Sequence, residues 1–184
     1  MSRPGVFASL IQSSFGSPHG NFEAVVRLAS GDLWHYWRDN NNDSQAWGPT
    51  QLICSGAAYA GSLIQSHFPG SDTAGNFEVV VPLNVRGGGV QLTYFWHDNQ
   101  TTPDGPWQLG GPVTADGDQV LGPGCITQSS FGEHHNLEVI VPIKGADGNA
   151  VLQHFWRDPL GPDPWQRGLQ VTGPGDVVTG PGCI

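Results

Sequence analysis

The chemistry on this chain is concentrated in three short strings that share one layout. Trp37-Arg38-Asp39, Trp96-His97-Asp98 and Trp156-Arg157-Asp158 each set an indole beside a basic or imidazole side chain and an acid. Another aromatic precedes each tryptophan: Tyr36, Phe95 and Phe155. An acid upstream (Glu23, Glu78, Glu138) and a second tryptophan about ten residues downstream (Trp47, Trp107, Trp165) complete each set. A sugar ring needs an aromatic face for its C–H side and directional polar groups for its hydroxyls. Trp supplies the first at low entropy cost, and Arg, His, Glu, Asp and Asn supply the second.

Each series has a structural role to set against the binding one. Trp37, Trp96 and Trp156 lie mid-strand between apolar neighbours, where they pack between layers or offer a stacking platform. Trp47, Trp107 and Trp165 follow loops at strand starts and read as rim residues, either ligand contacts or edge packing. Arg38, His97 and Arg157 follow a tryptophan and so point to the opposite side of their strand. They pair with Asp39, Asp98 and Asp158, with an acid of another blade, or with ligand hydroxyls. Glu23, Glu78 and Glu138 need partners if buried, an Arg of the next unit or a sugar. His35 and His154 match Tyr94 in the middle copy, which argues against a metal role. Asp116-Gly117-Asp118 and Asp147-Gly148-Asn149 read as turns. No metal site and no cofactor is expected.

Catalysis is disfavoured on the same grounds. Glycoside hydrolysis needs two differently tuned carboxylates converging on one bond, whereas a repeat spreads identical glutamates around the molecule. No nucleophile elbow, HExxH helix or phosphate loop is present, and Gly87-Gly88-Gly89 sits in a turn. Threefold repetition of weak contacts suits multivalent binding.

These strings must be carried by strands. Glycine at 27 and proline at 15 of 184 residues, with 12% charged residues, suit short strands and tight turns. SLIQSSFG (9–16), SLIQSHFPG (62–70) and CITQSSFG (125–132) open three units, with Gln12, Gln65 and Gln128 at intervals of 53 and 63 residues. NFEAVVRL (21–28), NFEVVVPL (76–83) and NLEVIVPI (136–143) follow, apolar on both faces beyond the shared Asn-x-Glu start. Turns at 29–31, 86–89 and 146–149 lead into the tryptophan strands as hairpins. Short outer strands after the second tryptophans make each unit a four-strand meander: residues 1–60, 61–121 and 122–179, with 180–184 opening a further one. The chain is expected to be all-β, a β-propeller of four-stranded antiparallel blades.

A formal charge of −9 and a pI near 4.9, with only seven Lys and Arg, argue against nucleic acid and anionic membrane. A neutral ligand fits such a surface. No apolar run approaches a spanning helix and the start lacks a signal layout, so membrane insertion is not expected and a cytoplasmic or non-classically released protein is favoured. The sequons at Asn42 and Asn99 matter only in the secretory pathway. Cys54, Cys125 and Cys183 form no CxxC pair and read as buried thiols.

Taken as a set, N-[FL]-E-V-x-V, a Gly/Asp turn, L-W-H-x-W and a second Trp resemble the blades of PVL-type and PLL-type β-propeller lectins, with tectonin-like repeats a looser match. The matching pieces are Asn21–Val26, Leu33–Trp37 and Trp47; Asn76–Val81, Leu92–Trp96 and Trp107; and Asn136–Val141, Leu152–Trp156 and Trp165. The resemblance implies a multivalent sugar-binding propeller, calcium-independent or calcium-tolerant, with fucose, GlcNAc and related sugars as ligands. Those lectins carry a full ring of shorter blades in one chain, and here there are three.

Three blades cannot close a ring, and an open half-ring would leave large apolar faces in water. A homo-oligomer is therefore expected, a dimer of six blades being favoured, with Gly180–Ile184 as a latch because GPGCI repeats Gly122–Ile126. The function expected is a lectin for glycans and glycoconjugates, with shallow sites between blades. The competing reading is a propeller that binds protein partners and no sugar.

Overall fold

The structure is a computed structural model that describes residues 8–16, 18–48, 51–67, 75–173 and 175–179. The expected latch at 180–184, including Cys183, lies outside them. Among the described residues there is no helix; twelve strands form three four-stranded antiparallel sheets. Sheet I contains β1 (Ala8–Gln12), β2 (Asn21–Arg27), β3 (Leu33–Asp39) and β4 (Gln51–Cys54) in chain order. Sheet II contains β5 (Ser62–Gln65), β6 (Phe77–Asn84), β7 (Val90–His97) and β8 (Gln108–Pro112). Sheet III contains β9 (Cys125–Gln128), β10 (Leu137–Lys144), β11 (Ala150–Arg157) and β12 (Gln166–Gln170).

The central hairpins repeat one turn chemistry. Leu28, Val85 and Gly145 each donate an N–H to the carbonyl four residues on, and Gly31, Gly88 and Gly148 each close a tighter turn to the residue three back. Those three glycines have φ of 88°, 93° and 86°. A side chain there would be strained, so the glycine sets the length of the hairpin loop and with it the strand register.

That register sorts side chains between two cores. In β6, Phe77, Val79 and Val81 point toward sheet I and pack with Val25, Leu33, Ile53, Leu63, Phe95 and Trp107. The alternate residue Val80 turns toward sheet III with Leu92 and Tyr94, meeting Ile126, Leu137, Val139, Val141, Ile143 and Phe155. Sheet II is thus apolar on both faces because it is covered on both, the pattern its near-continuous run of Val and Phe encodes. Each fully buried Val, Leu or Phe contributes about 1.5–3 kcal/mol. The first strands β1, β5 and β9 lie side by side, as blades meet around an axis.

The linkers tie neighbouring sheets together. After sheet I, Ala57 bridges to Leu83 at the end of β6, and after sheet II, Val120 bridges to Ile143 at the end of β10. The glutamines near the ends of the first strands do the same. Gln65 Oε1 accepts the Ser14 N–H at 2.7 Å, and Gln128 Oε1 accepts the His67 N–H at 2.6 Å. Each connection therefore recurs one sheet later. Cys54 and Cys125 are half-buried and not fully buried as expected, since each sits near a sheet end.

Candidate functional site

Each second strand carries its glutamate into the space beside its sheet, where a serine and a ring hold it. Glu23 accepts a hydrogen bond from Ser13 Oγ at 2.9 Å and lies 3.0 Å from His35 Nε2. Glu138 repeats this with Ser129 Oγ at 2.9 Å and His154 Nε2 at 2.7 Å. In sheet II, Glu78 takes Ser66 Oγ at 2.9 Å and the Tyr94 hydroxyl. Strand pairing explains the set: Glu23 is opposite Trp37, and His35, two residues back, shares that face. Serine and histidine engage opposite oxygens of the glutamate, and among the described residues no hydrogen bond joins the serine to the imidazole. A serine nucleophile activated by histidine needs that contact, so the triplet is a clamp on a buried carboxylate.

The third member needs room. A Cβ on Gly110 would stand 2.1 Å from Tyr94 Cδ1, and one on Gly168 would stand 2.2 Å from His154 Nδ1. The outer strand passes over these rings only because both positions are glycine. Burial pushes the Glu78 carboxyl up to about 7, partly offset by the bonds from Tyr94 and Ser66 and by the charge of Arg157. Burial and the neighbouring carboxylate push the Tyr94 hydroxyl well above its ordinary value.

Between sheets I and II a cleft of about 350 Å³ opens on the Glu23–His35 pair. Trp37 and Asn21 line it from sheet I; Phe77, His97, Asn99 and Asp104 line it from sheet II and the loop after β7. Its floor is aromatic. Phe77 and Trp107 stand edge-on to His35 with ring centroids 5.4 and 5.6 Å away, and His97 lies 5.4 Å from Trp107. The His97 ring is fixed, with Nδ1 2.7 Å from Asn99 Oδ1 and Nε2 2.9 Å from the Gly105 carbonyl. Asn99 is anchored in turn by donating Nδ2–H to the Gly75 carbonyl at 2.9 Å. Asn21 Oδ1, buried at the edge of the cleft, accepts no hydrogen bond from the described residues. A half-buried indole, a carboxylate, two imidazoles and amide groups thus converge on one space.

The same junction between sheets II and III is furnished differently. Trp165 stands edge-on to Tyr94 at 5.6 Å, as Trp107 does to His35. The Arg157 guanidinium sits 5.5 Å from the Tyr94 ring, in the place His97 holds at the first junction. On the outer face of sheet I, Arg38 lies 4.7 Å over Phe22 and 5.9 Å from Trp47, and donates to Asn40 Oδ1. Trp47 is exposed and forms an antiparallel bridge with Arg38.

The nine residues singled out by sequence are therefore distributed over four places. Glu23 and His97 meet in the first cleft, with Trp107 buried behind them. Glu78, Arg157 and Trp165 gather at the second junction. Arg38 and Trp47 lie on the free face of sheet I, and Glu138 on that of sheet III. The cleft lies between two sheets and takes about half its lining from each, including Asn21, Phe77, Asn99 and Asp104, which the sequence pattern does not single out as site residues. The recurring Asn21, Asn76 and Asn136, and Asn40 in register with Asn99, were the available signal. Among the described residues no group of three or more His, Cys, Asp or Glu is placed to hold a metal. Asp118 is engaged by Arg167 at 2.9 Å. Compared with known proteins, the chain matches no family model and no curated sequence.

Proposed function

We propose that this chain is a carbohydrate-binding lectin of β-propeller type, and that the cleft between sheets I and II is a site for a neutral monosaccharide of the fucose or GlcNAc type. The observation that carries this reading is the cleft itself: the Trp37 indole beside the Glu23–His35 pair, faced by His97, Asn99 and Asp104. The indole takes the C–H face of a pyranose, and the carboxylate and the unpartnered Asn21 Oδ1 accept from its hydroxyls. Asn99 adds its second Nδ2–H in a fixed position, because the Gly75 carbonyl and His97 already hold it, and His97, with both ring nitrogens engaged, contributes its ring face. Pre-ordering lowers the entropy cost of binding a small ligand. The acidic surface repels phosphorylated or carboxylated ligands and leaves neutral sugars favoured.

Titration calorimetry with methyl fucoside and with GlcNAc tests the reading. Saturable binding that Trp37→Ala weakens by about ten-fold supports it. Absence of heat with both sugars, together with a sugar-insensitive protein partner in a pull-down, supports the interaction-scaffold reading in its place.

A further inference from the structure

The two junctions inside the chain are copies of each other, and the two outermost sheet faces carry the missing halves of a third. At the first strand, Leu63 and Ile126 are 2% and 4% exposed beneath the preceding sheet, whereas their counterpart Leu10 on sheet I is 59% exposed. At the second tryptophan, Trp107 is 8% exposed against sheet I and Trp47 is 46% exposed. On the far side, Phe15 of sheet I packs edge-on against Phe77 of sheet II, and its counterpart Phe131 on sheet III is 76% exposed. Val113 is buried between sheets II and III while Val171, its counterpart on sheet III, is exposed.

We propose that a second copy of this chain docks head-to-tail on these faces, the sheet III face of each copy receiving the sheet I face of the other, and that two such junctions close a ring of six sheets. The internal junctions dictate the register. Ser14 and His67 give their N–H to Gln65 and Gln128, so Ser130 gives its N–H to Gln12 of the second copy. Phe131 packs on the second copy's Phe22 as Phe15 packs on Phe77. The second copy's Trp47 stands on His154 as Trp107 stands on His35. Val178 aligns with Ala57 and Val120 and bridges to Leu28 of the second copy. Charge agrees: Arg157 lies near enough to Glu78 to favour its ionised form, and Arg38 of the second copy comes to Glu138 in the same way. The junction is of the head-to-tail kind, which makes a closed ring when its rotation permits.

The junction also finishes a binding site, a point that rests on the lectin reading above. Sheet III keeps the Glu138–His154 pair beside Trp156, the arrangement that lines the open cleft of sheet I. The second copy supplies Arg38 and Asn40, already bonded to each other like His97 and Asn99. Each dimer would then hold two further clefts of mixed parentage.

Light scattering on the full chain without sugar tests the docking independently of any binding. A mass of twice 19.6 kDa at micromolar concentration is expected. A folded species of 19.6 kDa, or an open series of higher multiples, overturns the proposal. Phe131→Asp and Trp47→Asp should each weaken association by about ten-fold or more, and Leu109→Asp, on the exposed outer strand of the middle sheet, should not. A photoreactive phenylalanine at position 131 keeps the test open should those variants misfold. Cross-links to residues 21–27 of the other copy support the register, and cross-links to its sheet III overturn it. Loss of sugar binding with the dimer intact would overturn the lectin reading alone.

Discussion

Tyr94 gives its hydroxyl to Glu78 at the place where His35 and His154 meet Glu23 and Glu138. This one exchange distinguishes the middle sheet from the outer two. A neutral phenol replaces an imidazole, Trp165 and Arg157 close over it, and Glu78, buried like Glu23, has a phenol and no imidazole beside it between sheets II and III.

That burial predicts a pH dependence of stability. The Glu78 carboxyl titrates at about 7 in the folded chain, against an ordinary value of 4.5. The folded state therefore binds more protons than the unfolded one between those limits. Stability is fully present below about pH 4.5, falls as pH rises toward 7, and levels off beyond it, with a loss of up to about 3 kcal/mol. Urea unfolding across this range should show the fall, and Glu78→Gln should remove it. An unchanged slope in Glu78→Gln would assign the dependence to another group.

The glycines that face the clamped rings predict a second effect. Gly110→Ala places a methyl group against Tyr94, and Gly168→Ala places one against His154. Each should destabilise the fold by about 1–3 kcal/mol, the cost of overpacking. Ala at Gly117, where nothing lies within 4 Å of a Cβ but φ is 96°, reports backbone strain alone and serves as the comparison. Denaturant midpoints separate the two effects.

The two tryptophan series should divide stability from binding. Trp107→Ala empties a position between sheets I and II and should cost about 3–5 kcal/mol. Trp37→Ala, at a half-buried wall of the cleft, should cost less stability and act on sugar affinity. Thermal melts and titrations on the same two variants check this; equal losses of stability would contradict it.

Much of this was legible in the sequence. The alternation in NFEVVVPL and NLEVIVPI, with glycines at matching hairpin turns, gives strands apolar on both faces, and three sheets with cores between them follow. The neighbours of each side chain were not legible. Strand parity places Trp37 and Arg38 on opposite faces, but which face meets which sheet depends on how blades stack, and that pairs Trp107 with His35 of the preceding sheet. A tryptophan following a polar loop reads as a rim residue, yet the Trp107 indole turns inward because the preceding sheet supplies an aromatic shelf, while Trp47 stays exposed. The serine of each clamp was equally obscure, since Ser13, Ser66 and Ser129 stand outside the strands and reach the glutamates only through folding.

Cys54 should be chemically quiet. Burial pushes its thiol up to about 12, and the charge of Asp32 acts in the same direction. At pH 8 its alkylation, followed peptide by peptide by mass spectrometry, should be about three orders of magnitude slower than that of an exposed thiol. Rapid labelling of Cys54 in the folded chain would show that the end of β4 opens readily.

The central claim is that a sugar sits between sheets I and II against Trp37. A crystal structure of the chain soaked with methyl fucoside or GlcNAc tests it most directly. The account predicts a pyranose stacked on the Trp37 indole, with hydroxyls within hydrogen-bond distance of Glu23 and Asn21. An empty cleft with the sugar bound elsewhere, on the exposed Trp47 for example, would contradict it.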